Sequence, residues 1–162
     1  MAIYFTEFAS PFGTIQLRGM ATALTGVFME NHGHEPARPA AAVRDAGPLR
    51  EAQRELEEYF AGERREFSVA LAPAGTAFQQ RVWQALREIP YGGTISYLEL
   101  ARRVESPRGF RAVGQANGRN PLSIIVPCHR VIAADGSLGG YSGGLERKRR
   151  LLALESGEAS AM

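Results

Sequence analysis

The segment Ala72-Pro73-Ala74-Gly75 divides this chain into two parts with different secondary-structure patterns. Before it, short β-prone runs and turns precede a single helix, whereas helices dominate after it. The charge also changes sign, from a net −3 over residues 1–74 to a net +6 over residues 75–157. A chain of 162 residues is long enough for two small cores. We therefore predict domains at 1–74 and 75–157, followed by a disordered tail at 158–162.

The first part favours an α/β domain, a small antiparallel sheet plus one helix. Short β-prone runs at residues 3–8, 14–18 and 23–29 are separated by Ser-Pro and Gly turn signals. Residues 32–47, rich in Pro, Ala and Gly, predict a surface loop. An amphipathic pattern over residues 48–61 predicts the helix, and the alternation over residues 67–71 predicts a further strand.

The second part predicts a mostly helical domain with a hairpin near its end. Three helix starts are visible: the capping boxes Thr76 with Gln79 and Ser96 with Glu99, and Ser106 as N-cap before Pro107. Two helices joined by a very short turn are typical of helix-turn-helix domains. Asp135-Gly136 predicts a hairpin that begins with a strand over residues 124–132, which together with the helices suggests a winged helix. A final helix over residues 145–155 carries Arg147-Lys148-Arg149-Arg150.

The only cysteine, Cys128, lies within the predicted strand over residues 124–132. One cysteine cannot form an intrachain disulfide, which is typical of a reducing compartment. A thiol is a nucleophile only as thiolate, and its ordinary pKa leaves little thiolate near neutrality. Because successive side chains alternate on an extended chain, we expect His129 to reach the thiol through a bridging water. A thiol that merely fills space in the core is the alternative.

The run Pro127-Cys128-His129-Arg130-Val131 resembles the active-site signature of the O(6)-alkylguanine-DNA alkyltransferases, the methylated-DNA–protein-cysteine methyltransferases. The resemblance covers residues 76–155, and the first seventy-odd residues resemble the family more weakly. It includes further motifs in the same order: residues 75–83, Ile89-Pro90-Tyr91-Gly92, Ser96-Tyr97, Arg111-Ala112-Val113-Gly114, Asn120-Pro121 and Tyr141-Ser142-Gly143-Gly144-Leu145. It implies a ribonuclease H-like fold for the first domain and a winged helix-turn-helix for the second. It also implies a single-turnover DNA repair protein that transfers a methyl or other alkyl group from guanine O6 to Cys128, without a cofactor.

The resemblance assigns catalytic roles to four residues. Cys128 would accept the alkyl group and His129 would act as the base. Glu155 matches the glutamate that would hold the imidazole and stabilise its charged form. Tyr97 matches the tyrosine that donates to guanine N3 as the base departs.

Further residues would form the pocket for the base. Tyr141 would be a wall, and Ser142 would approach guanine O6 from a flexible glycine loop. Backbone carbonyls of Cys128 and Val131 would accept from the guanine amino group. Asn120 would brace the end of the helix-turn-helix against the strand that carries Cys128.

The resemblance implies that the recognition helix contacts the minor groove of DNA. Arg111 matches the arginine finger that enters the base stack when the target nucleotide is flipped out. Ala112, Gly114 and Gln115 follow it on a helix of small side chains, which permits close approach without reading base edges in the major groove. The partner implied is double-stranded DNA that carries O(6)-alkylguanine.

Three features of the chain differ from the pattern of some relatives. The zinc site of some members needs N-terminal cysteines that this chain lacks, so we expect no metal and interpret His32-Gly33-His34 as a loop. Ser123 and Asn117 stand where some members carry other residues, which leaves the accepted alkyl size open. We expect a monomer, with clustering on DNA left open, in the cytoplasm and without a membrane segment or signal peptide.

Three other classes of protein remain as alternatives. The first is an alkyltransferase-like protein that binds the lesion without transfer, but such relatives replace the cysteine that Cys128 provides. A winged-helix transcription factor would need larger polar side chains on its recognition helix. A cysteine hydrolase would need an oxyanion hole and would leave Arg111 and the basic half unexplained.

Overall fold

The structure is a computed structural model that describes residues 2–31, 33, 35–106 and 109–157. The N-terminal part contains four strands and a helix: β1 Tyr4–Ser10, β2 Gly13–Met20, β3 Ala23–Met29, β4 Val43–Arg44 and α1 Arg50–Phe60. The C-terminal part contains two short strands and four helices: α2 Ala77–Arg87, β5 Ile95–Ser96, α3 Tyr97–Arg103, α4 Phe110–Gly118, β6 Val131–Ile132 and α5 Leu145–Glu155.

The N-terminal sheet has the strand order β3-β2-β1-β4. Strands β1, β2 and β3 pair antiparallel, as predicted, and their inward side chains such as Ile15 and Leu17 are fully buried. The short strand β4 lies inside the segment predicted as a loop, and it pairs parallel with β1. Helix α1 supplies Leu56 and Tyr59 to the same core. The predicted sheet and helix are confirmed, and the sheet gains one edge strand.

The strand predicted over residues 67–71 is wrong. The backbone N–H groups of Ser68 and Val69 donate instead to the buried carboxylate of Glu55 on α1. Only Leu71 makes an isolated parallel bridge, to Leu24. The alternating pattern reports burial of one side of this segment, but a side chain rather than a neighbouring strand satisfies its N–H groups.

Helices α2 and α3 begin at the predicted caps. At Thr76 both bonds of the capping box are present, and the Trp83 indole of α2 donates to the Ala116 carbonyl of α4 at 2.9 Å. The Ser96 hydroxyl accepts from the Glu99 N–H, but the Glu99 carboxylate pairs with arginines on its own helix. The indole bond therefore fixes α4 against α2 beneath the site described below.

Helix α4 begins later than predicted. Its N-cap is Gly109, at φ 74°, and not Ser106; Pro107 lies outside the described residues. The Ser106 hydroxyl donates to the Gly109 carbonyl at 3.5 Å instead of accepting from a helix N–H. A serine turned in this way closes a local turn and cannot cap the helix.

The strand predicted over residues 124–132 is also wrong, except at its end. Cys128–Arg130 form a 3-10 turn, and only β6 is extended, paired parallel with β5. Asn120 shapes the segment, because its amide donates to the Val126 carbonyl at 2.7 Å and its oxygen accepts from the Leu122 N–H. Ile124, at φ 75°, reverses the chain. The turn at Asp135-Gly136 forms, with Ala133 bonded to Ser137, but no second strand follows it among the described residues.

The two parts of the chain are joined by side chains of α5. The predicted final helix is confirmed over Leu145–Glu155. Its basic run does not simply face solvent, since Arg147 donates to the carbonyls of Phe12 and Glu30, and Arg150 donates to that of Pro11. Val27 of β3 adds a backbone bond to Pro121 at 2.8 Å. These bonds hold the sheet against the segment that carries Cys128.

No helix within the described ranges is long and apolar enough to cross a lipid bilayer.

Candidate active site

The thiol of Cys128 lies at the wall of a cavity of about 270 Å³ in the C-terminal part. The start of α3, the face of α4, the 3-10 turn and the loop before α5 surround it; its lining is Tyr97, Gly114, Asn117, Gly118, Cys128, Gly140, Tyr141 and Ser142. Cys128 is 5% exposed. Gly139, at φ 70°, lets the loop pass Tyr97, because a Cβ there would lie 2.9 Å from its ring. The cavity therefore borders a nucleophile that is itself almost fully shielded from solvent.

His129 points away from solvent and binds Glu155. Its Nε2 lies 2.7 Å from Glu155 Oε2, and both side chains are buried. The other ring nitrogen, Nδ1, has no hydrogen-bond partner among the described residues. Because the backbone turns at Cys128–Arg130, the alternation expected for an extended chain does not apply here. With Nε2 bound to a carboxylate, Nδ1 is the nitrogen free to accept a proton.

Glu155 is held by more groups than the sequence predicted. Arg130 donates to both carboxylate oxygens, from Nε at 2.7 Å and from Nη2 at 2.9 Å, and the Tyr59 hydroxyl donates to Oε2 at 2.6 Å. Burial raises the pKa of Glu155, but the hydrogen bonds and charges of His129 and Arg130 outweigh it and hold that pKa well below its usual range. The carboxylate is therefore ionised throughout the neutral range.

The thiol and the imidazole are both uncharged at neutral pH. Burial raises the pKa of Cys128 to about 11, although Asn120 and Lys148 act in the opposite direction. Burial lowers the pKa of His129, and the hydrogen bond and charge of Glu155 offset this only in part. A neutral imidazole can take up a proton, so the site holds a protonated nucleophile and an available base.

Lys148 was not among the predicted site residues. It is fully buried, and its ammonium group donates to carbonyls of Val131, at 2.6 Å, of Leu138 and of Gly140, at 3.0 Å. Burial lowers its pKa to about 8. Lys148 therefore links Val131, at the end of the 3-10 turn, to the loop before α5, and so fixes two walls of the cavity. A lysine within a basic run gives no sequence signal of burial.

Tyr97 and Ser142 both line the cavity. The Tyr97 hydroxyl donates to the Gly140 carbonyl at 3.3 Å, and burial raises the pKa of this phenol, which keeps it protonated and a donor. The Ser142 hydroxyl donates to the Gly118 carbonyl of α4 at 2.6 Å, and its own carbonyl accepts from the Gly33 N–H at 2.9 Å. Both side chains therefore connect the loop before α5 to the rest of the site.

Asn120 and Val131 lie outside the cavity wall, whereas Asn117 is part of it. Asn120 is buried beneath the site, where it braces the segment before Cys128 as predicted, although that segment is not a strand. The Val131 carbonyl already accepts from Lys148. The Asn117 amide donates to the Cys128 carbonyl at 3.4 Å, and its oxygen has no partner among the described residues. The Asn117 oxygen is thus an available acceptor in the cavity wall, whereas the sequence had linked Asn117 only to the size of the accepted alkyl group.

The predicted DNA-contacting residues share helix α4. Arg111 and Gln115 are exposed, whereas Ala112 and Gly114 are half-buried. Ala112, Gly114 and Gln115 line a groove of about 710 Å³ between α4 and the start of α2. This groove shares Gly114 and Gly118 with the cavity. A polymer lying along α4 would therefore pass directly beside the opening to Cys128.

No cluster of three or more candidate metal ligands occurs within the part of the chain that the structure describes.

Comparisons with known proteins match both parts of the chain. Residues 3–73 match the family model of the 6-O-methylguanine DNA methyltransferase ribonuclease-like domain, and residues 77–157 match that of the 6-O-methylguanine DNA methyltransferase DNA binding domain. The architecture is thus an N-terminal sheet domain followed by a helical C-terminal domain.

Similar proteins match over nearly the whole chain. Methylated-DNA–protein-cysteine methyltransferases of Mycobacterium tuberculosis and Methanosarcina acetivorans are each 50% identical, over 98% and 94% of this chain and 96% and 98% of their own lengths. The crystal structure of M. tuberculosis OGT in complex with DNA is 47% identical, with a TM-score of 0.90 over 96% of this chain and 94% of that one. The chain therefore belongs to the 6-O-methylguanine DNA methyltransferase family.

Proposed function

We propose that this protein is a methylated-DNA–[protein]-cysteine S-methyltransferase that repairs DNA by moving an alkyl group from guanine O6 to Cys128. The observation that carries the proposal is one thiol at the wall of a shielded cavity, beside a buried His129–Glu155 pair. The relatives that match over the whole chain are named for this activity. They do not support the alternative of a lesion-binding protein without transfer.

The reaction is a displacement at the alkyl carbon. Cys128 Sγ loses its proton towards His129 Nδ1, through a bridging water, and attacks the carbon bound to guanine O6. A sulfur–carbon bond forms and the carbon–oxygen bond breaks, leaving negative charge on the guanine ring. Glu155 stabilises the imidazolium that results, and the Tyr97 hydroxyl donates to guanine N3. Because no group reverses the thioether, each molecule reacts once.

The pocket recognises guanine through the loop before α5 and through backbone carbonyls. Ser142 and neighbouring N–H groups approach O6, and Tyr141 forms a wall. The carbonyls of Cys128 and Val131 accept from the guanine amino group. The Val131 carbonyl already accepts from Lys148, and the Cys128 carbonyl from the Asn117 amide at 3.4 Å and from the Val131 N–H, so the guanine amino group shares these acceptors or displaces the long Asn117 bond. Asn120 supports these groups from beneath.

Access to the alkylated base requires that the nucleotide leave the duplex. We propose that α4 lies in the minor groove, with Ala112, Gly114 and Gln115 close to the DNA, and that Arg111 fills the vacated place in the stack. The crystal structure of a relative in complex with DNA supports the DNA partner. The finer assignments belong to the same proposal: a ribonuclease H-like domain at 1–74, a winged helix-turn-helix at 75–157, and a cytoplasmic monomer.

Mass spectrometry tests the proposal directly. After mixing with an equimolar O(6)-methylguanine duplex, the protein is expected to gain the mass of one methyl group in place of one proton. Since the chain has a single cysteine, a thioether identifies Cys128. A second aliquot of duplex should give no further reaction. Repeated turnover of substrate, or an unmodified protein with repaired DNA, would contradict the proposal.

If Arg111 is the arginine finger, its replacement should lower the rate of alkyl transfer by an amount that depends on the substrate. Arg111→Ala is expected to slow repair of duplex by about tenfold, because flipping a base costs a few kcal/mol that the inserted side chain offsets in part. Reaction with free O(6)-benzylguanine needs no flipping and is expected to be unchanged. Arg54→Ala, which removes the same charge from the exposed side of α1, is the control. Equal losses on both substrates would remove the base-flipping role.

A further inference from the structure

Tyr59 connects the N-terminal domain to the buried pair. It lies on α1, is fully buried, and donates its hydroxyl hydrogen to Glu155 Oε2 at 2.6 Å. Its ring is held by the surrounding aromatic rings of Phe60, Phe67 and Tyr91, at centroid distances of 5.7, 5.5 and 6.2 Å. The hydroxyl therefore has a fixed position relative to the carboxylate, set by the N-terminal core.

Tyr59 and His129 share one oxygen atom. Oε2 of Glu155 accepts from the Tyr59 hydroxyl, from His129 Nε2 and from Arg130 Nη2, whereas Oε1 accepts from Arg130 Nε. Each donor draws negative charge from the oxygen that it binds. A donor that shares Oε2 therefore weakens the stabilisation that this oxygen gives to a protonated imidazole.

The other charged or titratable groups around the pair come from the 3-10 turn, from α5 and the loop before it, and from the segment after α2. Arg130 belongs to the 3-10 turn with Cys128, Lys148 lies on α5 with Glu155, and Tyr91 follows α2. Arg130 and Lys148 are cations that disfavour protonation of His129, and Glu155 favours it. The hydroxyls of Tyr59, Tyr91 and Tyr141 all lie within electrostatic reach of Glu155, but among them only that of Tyr59 bonds to the carboxylate; that of Tyr91 lies 3.5 Å from the Leu154 carbonyl.

We propose that Tyr59 is a positioning residue of the alkyl-transfer site, which orients Glu155 and limits how strongly Glu155 stabilises protonated His129. The proposal rests on the proposed function, since it concerns the base of that reaction. It gives the N-terminal domain a part in the chemistry beyond its packing. The hydroxyl keeps His129 neutral to lower pH than the carboxylate alone would allow, which keeps the base available.

The test compares Tyr59→Phe with the wild type and with Tyr91→Phe. Both variants lose one hydroxyl from the same aromatic cluster, but only Tyr59→Phe removes a bond to Glu155. The rate of reaction with free O(6)-benzylguanine is measured from about pH 5 to about pH 8, the range in which histidines titrate. This substrate leaves DNA binding out of the measurement.

In Tyr59→Phe, the midpoint of the acidic limb is expected to move to higher pH. Without the hydroxyl, more negative charge on Oε2 is available to His129, so the imidazole holds its proton to higher pH and the base is lost sooner on acidification. The plateau rate is expected to fall about two- to tenfold, the equivalent of one hydrogen bond, as the carboxylate loses its fixed orientation. Tyr91→Phe should retain the wild-type midpoint.

The midpoint decides the outcome. An upward shift in Tyr59→Phe alone supports the proposal at any plateau rate, because Tyr91→Phe removes a hydroxyl from the same aromatic cluster and would share a shift caused by loosened packing. A midpoint equal to that of the wild type, or a shift shared by Tyr91→Phe, overturns it. Wild-type protein that forms no thioether would instead overturn the proposed function, so the two failures are distinguishable.

Discussion

Replacement of Cys128 by Ala is expected to abolish alkyl transfer and to leave binding to duplex DNA within about twofold of the wild type. The transfer needs a sulfur atom to form the new bond, and the chain has no second cysteine to replace it. Binding to DNA depends mainly on contacts with the phosphate backbone, and the sulfur is almost fully buried. Transfer is followed with a labelled methyl group, and binding by a titration at fixed salt.

Cys128→Ser is the matched variant, because it replaces the thiol with a hydroxyl of similar size. It is also expected to be inactive, since burial opposes ionisation at this position and a hydroxyl ionises far less readily than a thiol. Either substitution should lower the free energy of unfolding by only about 1 kcal/mol. Loss of DNA binding together with transfer would identify Cys128 as a structural thiol and contradict the proposed role.

Much of the fold could be predicted because its signals are local. The capping box at Thr76 places α2, and the amphipathic pattern over residues 48–61 places α1, since each signal depends only on residues within a few turns. Strands β1 to β3 follow from short β-prone runs between turn signals. The two wrong strand predictions concern segments whose backbone groups bond to side chains and not to a neighbouring strand. The Glu55 carboxylate accepts from the N–H groups of residues 68 and 69. Asn120 bonds to the backbone of the segment before Cys128 and so determines its conformation.

The site residues also divide into those that a local sequence signal identifies and those that only the structure reveals. The signature motif leads to Cys128 and His129, and the structure places Glu155 against His129. The same motif contains Arg130, whose bonds to Glu155 no local pattern predicts. Tyr59 and Lys148 could not be found in this way. An apolar helix position predicts that Tyr59 is buried but not which atom its hydroxyl meets, and a basic run predicts that Lys148 faces solvent.

Glu155→Gln is expected to cause the largest combined loss of stability and activity. In the wild type, Tyr59, His129 and Arg130 all direct donors at the carboxylate. An amide has the same shape, but it replaces one acceptor with a donor and removes the negative charge that compensates buried Arg130. Breaking a buried pair by neutralising one partner costs about 3–5 kcal/mol, which urea denaturation would measure.

The same substitution is expected to slow alkyl transfer by at least about 100-fold. Without the carboxylate, nothing stabilises the imidazolium that forms as Cys128 loses its proton, and burial together with Arg130 and Lys148 opposes that charge. Glu146→Gln, on the same helix, is the control. Glu146 is exposed and pairs with Arg149 one turn away, so its loss should change stability by no more than about 0.5 kcal/mol and leave transfer intact. A folded Glu155→Gln protein that reacts at the wild-type rate would remove Glu155 from the reaction and leave it a purely structural acid.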